Sequence, residues 1–266
     1  MIRIGGAQMP VTAKISNNVE HLKEAIDWAA KNQVEFLLTP EGSLSGYMNT
    51  FEYLEQSDIQ ESFREVTQYA SESGIGLALG TEFIDTLPFG RVKRSQIRYT
   101  NEQGILTGVY NKQMVIPGET SYPGEGPELI EIEHFNQSGP VKFKAGSFIC
   151  NDMWGQRNNK QCIINDLFYY EHHKTNILFH ASNGFRSEHA GISADESANM
   201  RLFSDMHLWN ASRYKIPIIT VDNCYNIDGT FTNSPTSSQS GIILNGEWLV
   251  KANPSGTDYF YYDFKF

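Results

Sequence analysis

Residues Val141 to Gly155 read VKFKAGSFICNDMWG. From Val141 to Ile149 the apolar residues Val141, Phe143, Ala145, Phe148 and Ile149 alternate loosely with Lys142, Lys144 and Ser147, the period of a strand, and Asn151-Asp152 stops the run. Cys150 is therefore expected where a buried strand opens into a turn. Ligands of α/β sheets bind in the crevice beyond the carboxyl ends of the strands, so a nucleophile at this junction could meet a substrate. An isolated free cysteine is equally at home as a small core hydrophobe, and burial statistics favour that use.

Working outward, the chain alternates strand and helix, as α/β proteins do. Upstream, Ile2 to Gln8 reads as a strand, and Asn17 with Glu20 as a capping box for a helix whose stripe is Val19, Leu22, Ile26 and Ala29. Val34 to Thr39 is a continuous apolar strand stopped by Pro40, with Glu41 following at once. A second helix is expected over Asp58 to Ser73 and a strand over Ile75 to Ile84. Two further strands between Arg91 and Tyr110 flank the turn Asn101-Glu102-Gln103-Gly104 and lead into Asn111-Lys112. Val115 to Pro127, with Pro117, Gly118, Pro123, Gly124, Gly126 and Pro127, reads as a long loop of the kind that carries function.

Downstream, helices are expected over Asn159 to Glu171 and Glu196 to Ser212, the second with Leu202, Met206 and Trp209 aligned. Strands are expected over Thr175 to His180 and Ile216 to Val221. Gly241 to Leu244, Glu247 to Ala252 and Asp258 to Phe264 then complete the sheet. With no internal repeat and no linker, residues 1–266 read as one domain.

Composition narrows the function classes. A net charge of -10, from 21 basic and 31 acidic residues, argues against a nucleic-acid partner or an anionic membrane surface. No apolar run approaches the ~20 residues of a membrane span, and the apolar part of MIRIGGAQMP is too short for a signal peptide. Three widely spaced cysteines point to a reducing compartment, hence the cytoplasm. P-loop, G-x-G-x-x-G, H-E-x-x-H and G-x-S-x-G patterns are absent, and His172-His173 lacks metal-ligand spacing, so neither cofactor nor metal is expected.

Glu41, Lys112 and Cys150 each follow or end a strand, and together they make a chemistry: a carboxylate to take the thiol proton and an ammonium to steady thiolate and oxyanion. Separately, Glu41 also reads as a turn residue and Lys112 as a solvated edge charge. Three motifs occur in order: Thr39-Pro40-Glu41 with Gly46-Tyr47, then Tyr110-Asn111-Lys112, then Ile149-Cys150-Asn151-Asp152. On these the chain resembles the nitrilase superfamily of carbon-nitrogen hydrolases, and Ala7-Gln8 and Ala211-Ser212-Arg213 fit as well.

The resemblance implies an α-β-β-α sandwich that pairs with a second copy, the homodimer forming a four-layer assembly, with Tyr259 to Tyr262 as a candidate apolar face. It implies a small amide as substrate, opened through a thioester on Cys150. Glu41 would serve as acid and base, and Lys112 with the backbone N–H after the cysteine would hold the oxyanion. The second glutamate of the family matches Glu119 in Pro117-Gly118-Glu119, one residue short of the usual P-x-G-E, with Glu125 as the alternative. Tyr47, Trp154 and Asn183 are candidate substrate-binding residues, though core or turn roles explain each of them too. After the cysteine the chain lacks the arginines that hold a substrate carboxylate in many relatives; Arg157 is a possible substitute. A nitrilase proper, an acyltransferase using the same thioester and a non-catalytic binding protein are the alternatives, the short C-terminus tilting the choice to amides.

Overall fold

Two six-stranded sheets face one another in the structure, a computed structural model that describes residues 1–47, 55–116, 118–136, 139–154, 156–157, 160–184, 194–225 and 230–266. In chain order the elements are β1 Ile2–Gln8, α1 Ile15–Lys31, β2 Phe36–Leu38, α2 Gln56–Glu72, β3 Gly76–Leu87, β4 Gly90–Thr100 and β5 Leu106–Asn111. There follow β6 Ile130–Asn136, β7 Gly139–Ile149, β8 Gln156–Arg157, β9 Lys160–Gln161, α3 Cys162–His172, β10 Ile177–Ala181, α4 Ala194–Ser212, β11 Ile218–Val221, β12 Gly241–Leu244, β13 Glu247–Lys251 and β14 Asp258–Phe264. The first sheet has the order β14-β1-β2-β3-β4-β5 and the second β13-β12-β11-β10-β7-β6.

Side-chain alternation along the strands builds the layers. In β2, Phe36 and Leu38 point at the opposite sheet and join Ile4, Ala78, Tyr99, Ile149, Phe179 and Ile219 in the central core. Leu37 points the other way, against Val19, Leu22 and Ile26 of α1 and Val66 and Ala70 of α2. On the far side, Phe148, Leu178 and Ile218 meet Leu167 and Tyr170 of α3 and Leu208 and Ala211 of α4. The result is the expected α-β-β-α sandwich. Strands β1, β2 and β3 are parallel, as are β7, β10 and β11, so the carboxyl ends of β2 and β7 open at the site.

The elements follow the sequence reading with informative exceptions. Strand β6 was not expected, although Ile130, Ile132 and His134 alternate buried with exposed Glu131 and Glu133. The capping box on Asn17 and Glu20 does not form: α1 starts at Ile15 without a side-chain cap, and it is the buried Asn18 that ties the entry loop, accepting from the Thr12 N–H and donating to the Thr12 and Leu44 carbonyls. In α4 the aligned Leu202, Met206 and Trp209 are exposed, because the helix turns Leu208 and Ala211 to the core instead. Strand β14 does not complete the sheet of β12 and β13; it crosses back to pair antiparallel with the whole of β1.

One close approach positions the site. A Cβ on Gly80 of β3 would stand 1.9 Å from the Pro40 carbonyl oxygen, so only glycine lets the segment after β2 lie on β3. Gly80→Ala is expected to cost about 1–3 kcal/mol of stability, read as a lower Tm, and to displace Glu41, read as lost activity beyond the loss of folded protein.

Candidate active site

Glu41 is delivered by a tightly strapped turn. The Thr39 and Ser43 hydroxyls hydrogen-bond each other at 2.7 Å, Ser43 Oγ donates to the Gly80 carbonyl, and the Gly80 N–H donates to Thr39 Oγ1. Gly42 and Gly46 take positive φ, 68° and 84°, and close the turn through a bond from the Gly46 N–H to the Gly42 carbonyl. Lys112 leaves the end of β5, its N–H bonded to the Ser95 carbonyl and its own carbonyl accepting from the Gly124 N–H.

These two side chains meet in the interior. Lys112 Nζ donates to Glu41 Oε1 at 2.8 Å and to Glu119 Oε1 at 2.5 Å, and all three side chains are buried. Glu119 Oε1 also accepts from the Tyr47 hydroxyl at 2.6 Å, while its Oε2 takes the Ile116 N–H. Of the two candidate glutamates, Glu119 touches Lys112 and Glu125 is exposed. Ser95 Oγ donates to Glu41 Oε1 at 3.1 Å, whereas Glu41 Oε2 is buried without a hydrogen-bond partner among the described residues. One oxygen of the carboxylate is held and the other is left for a proton.

Cys150 adopts φ 45°, a left-handed conformation unusual for a residue with a side chain, as β7 turns into the 3-10 turn Cys150–Met153. Two buried groups fix this bend. Asp152 accepts from the N–H groups of Ile149, Gln113 and Met114 and from the Tyr110 hydroxyl, so one carboxylate joins the cysteine turn to the segment after Lys112. His180 reaches the Cys150 carbonyl through Nε2 at 3.4 Å and Thr220 Oγ1 through Nδ1 at 2.8 Å. Because a carbonyl only accepts, the partners assign the proton to Nε2. Burial pushes His180 down to about 4, so the ring is neutral near pH 7.

Burial dominates the ionisation of the reactive groups. It raises the Cys150 thiol, helped by the negative Glu41 and Glu119 and opposed by Lys112 and a hydrogen bond from the Asn183 backbone N–H. Glu41 is pushed up to about 8 by burial, against the attraction of Lys112. Burial alone would lower Lys112, but Glu41, Cys150 and Glu119 together raise it, so it stays charged.

Of the candidate substrate residues, Tyr47 is buried beside Lys112, its ring centroid 5.7 Å from Nζ. The Asn183 side chain donates to the Glu41 carbonyl and accepts from Asn223 Nδ2, leaving its backbone N–H on the sulfur. Trp154 is half-buried, packed edge-on to His180 with centroids 5.5 Å apart. Pro117 and the Arg157 side chain lie outside the described residues. Ser95 and His180 had no recognisable signal in sequence. Asp152 stood inside a motif, but as a strand breaker and not as a clamp. Among the described residues no cluster of three or more His, Cys, Asp or Glu side chains is arranged to hold a metal ion, and no helix is long and apolar enough to cross a membrane.

A family model described as carbon-nitrogen hydrolase matches residues 3–160. The chain belongs to the carbon-nitrogen hydrolase family. No curated protein sequence matches this carbon-nitrogen hydrolase. Its fold is similar to that of the NitN amidase from Nesterenkonia sp. AN1, at 16% identity and TM-score 0.72, over 100% of this chain and 93% of that one. It is similar as well to a glutamate-to-glutamine variant of the amidase from that organism, showing Michael addition of acrylamide at its active-site cysteine, at 15% identity and TM-score 0.71, over 100% and 94% of the two chains. A third similar structure is such a variant showing covalent addition of the acetamide moiety of fluoroacetamide at the cysteine, at 15% identity and TM-score 0.72, over 98% and 90%.

Two predictions follow from the held carboxylate. If Glu41 must be ionised to accept the thiol proton, its raised value places the acid limb of kcat/KM near pH 8, with rate lost as pH falls through it; a pH-rate profile flat from neutrality to that point would contradict this. Ser95→Ala removes a hydrogen bond to a charged group, worth about 1.5–3 kcal/mol, and should lower kcat/KM on the order of tenfold or more without changing the circular dichroism spectrum.

Proposed function

We propose that the chain is an amidase, a single catalytic domain spanning residues 1–266, that hydrolyses a small amide through a thioester on Cys150. The observation that carries this reading is the buried bridge Glu41–Lys112–Glu119, with Glu41 Oε2 lacking a hydrogen-bond partner among the described residues and Cys150 within the electrostatic reach of both glutamates and the lysine. Glu41 takes the thiol proton as the sulfur attacks the carbonyl carbon. Lys112 and the backbone N–H of Asn151 hold the oxyanion. Glu41 then protonates the leaving amine and, once the amine has gone, removes a proton from the water that opens the thioester. Glu119 and Tyr47 keep Lys112 in place, and Asn183 steadies the thiolate through its backbone N–H.

Tyr47 and Trp154 would wall the pocket, which favours a small aliphatic amide; acrylamide and an acetamide moiety on the cysteine of the Nesterenkonia amidase support that choice. A panel of aliphatic amides, ω-amides, N-carbamoyl amino acids and nitriles, read by ammonia release, tests it. Turnover of nitriles alone, or product made only with an added amine acceptor, would replace amidase by nitrilase or acyltransferase. Three widely spaced cysteines fit a reducing compartment, and we place the enzyme in the cytoplasm.

Roles are separable by substitution. Cys150→Ala should abolish turnover with the fold intact. Glu41→Gln should slow both chemical steps by roughly 10²–10⁴-fold, and Lys112→Ala should cost on the order of 10²–10³-fold. With an activated ester, whose leaving group needs no proton, Glu41→Gln should accumulate an acyl adduct visible by intact-mass spectrometry and Lys112→Ala should not. The reverse pattern would exchange the two roles.

The same reading includes a homodimer. Exposed Leu202, Phe203, Met206 and Trp209 on one side of α4 give a second copy an apolar face. Tyr261 and Tyr262 on β14 are exposed as well, but Tyr259 is engaged by Trp28, with centroids 5.2 Å apart. Sedimentation should show a dimer of the 30.1 kDa chain, and Met206→Glu should dissociate it; a monomeric parent protein at micromolar concentration rules it out.

A further inference from the structure

A second buried ion pair lies against the first and takes no part in the proposed chemistry. Lys93 Nζ and Glu82 Oε2 are 3.1 Å apart, and the two side chains are 1% and 2% exposed. The register of β3 and β4 fixes where they stand. Glu82 is directly opposite Ser95, whose hydroxyl holds Glu41, and Lys93 is opposite Ile84, two residues from Ser95 on the same face. That face continues through Ile97 and Tyr99 into the central core, so the pair sits on the inner side of the sheet with the catalytic groups. The loop that carries Glu119 is fastened to both lysines: the Tyr122 N–H donates to the Lys93 carbonyl and the Gly124 N–H to the Lys112 carbonyl.

We propose that Glu82 and Lys93 are positioning residues that set how many protons the catalytic cluster holds, acting on Glu41 through their charges without touching substrate. The inference rests on reading Glu41 as the base. Among the described residues the buried ionisable groups here are Glu41, Glu82 and Glu119 with Lys112 and Lys93, so a single proton among the three carboxylates makes these five groups neutral together, and the Glu82–Lys93 charges bear on how easily it leaves. Glu82 feels its neighbours: burial lifts it to about 7 against Lys93, with Glu119 raising and Lys112 lowering it further. The other titratable groups facing the cluster among the described residues are Cys150, Tyr47 and Asp152, with His180 neutral behind the cysteine. A unit charge within about 10 Å in a protein interior moves a neighbour's titration by about one pH unit.

The sign of the effect is the test. Removing the negative charge in Glu82→Gln leaves Lys93 to favour the ionised Glu41, so the titration moves down by about one pH unit. Lys93→Gln moves it up, by less, because an unpaired Glu82 takes up a proton itself. The double variant returns close to the parent. The readout is the pH dependence of Cys150 alkylation by iodoacetamide, followed by peptide mass to separate Cys150 from Cys162 and Cys224. A pair that served only to fill space would move both single variants the same way or neither, and that result overturns the proposal. If Lys93→Gln does not fold, Glu82→Gln and the double variant still carry the test. A Glu41→Gln profile identical with the parent's would sink Glu41 as the base. A profile that Glu41→Gln flattens but the charge variants leave in place would sink only the role given to Glu82 and Lys93.

Discussion

A lysine ammonium with no exposed surface is the constraint around which this fold is arranged. Water cannot solvate Lys112, so carboxylates must, and removing one partner from such a pair costs about 3–5 kcal/mol because a bare charge is left behind. The partners come from distant parts of the chain, Glu41 from the turn after β2 and Glu119 from the loop after β5. Each is anchored before it arrives: the turn by Thr39, Ser43 and Gly80, the loop by its bonds to Lys93 and Lys112. The straps along the first sheet are thus consequences of one buried charge, and structure and chemistry draw on the same three side chains.

The same burial sets the resting state of the nucleophile. Both Cys150 and Glu41 are shifted towards their neutral forms, so the thiolate is not the standing species. In the proposed mechanism such a site becomes reactive when a proton moves from sulfur to Glu41 while Lys112 and the Asn183 N–H stabilise what is left. In the proposed cycle the positive charge stays fixed on Lys112, and only the proton between sulfur, carboxylate, amine and water changes place. That division is why one oxygen of Glu41 is doubly held and the other is not.

Strand period and breaker residues carried most of the sandwich, since β1, β2, β4, β5, β7 and both amphipathic helices of the first half fall where alternation and Gly or Pro signals put them. What escaped was tertiary. The polar alternation of β6 is plain once Ile130 and Ile132 are known to meet a facing sheet, but alone it adjoins a glycine-rich loop and reads as its continuation. The pairing of β14 with β1 joins the two ends of the chain, which no local pattern specifies. The apolar stripe of α4 marks a face without saying whether core or partner covers it. At the candidate site, Glu41, Lys112 and Cys150 could be grouped because family resemblance supplied what spacing could not. Glu119 needed the bond to Lys112 to separate it from Glu125. Ser95, His180, Glu82 and Lys93 were invisible, because a serine or a charged residue in a strand has many uses and only the register of β3 and β4 turns these into neighbours of Glu41.

The bend at Cys150 shows why a histidine belongs there in its neutral form. A positive φ at a residue with a side chain costs of order 1–3 kcal/mol and persists only where surrounding bonds over-determine it. Asp152 holds the turn from the β5 side and His180 from the β10 side, through the cysteine's own carbonyl. A charged imidazolium could make the same bond, but it would place a second cation beside the sulfur and favour a standing thiolate, and a thiolate of lowered basicity is also a weaker nucleophile. Burial between Thr220 and Trp154 keeps the ring neutral, so that it fixes geometry while Lys112 supplies the charge. Positioning and electrostatics are assigned to different side chains, and the sulfur can stay protonated until a substrate carbonyl gives the electrons somewhere to go.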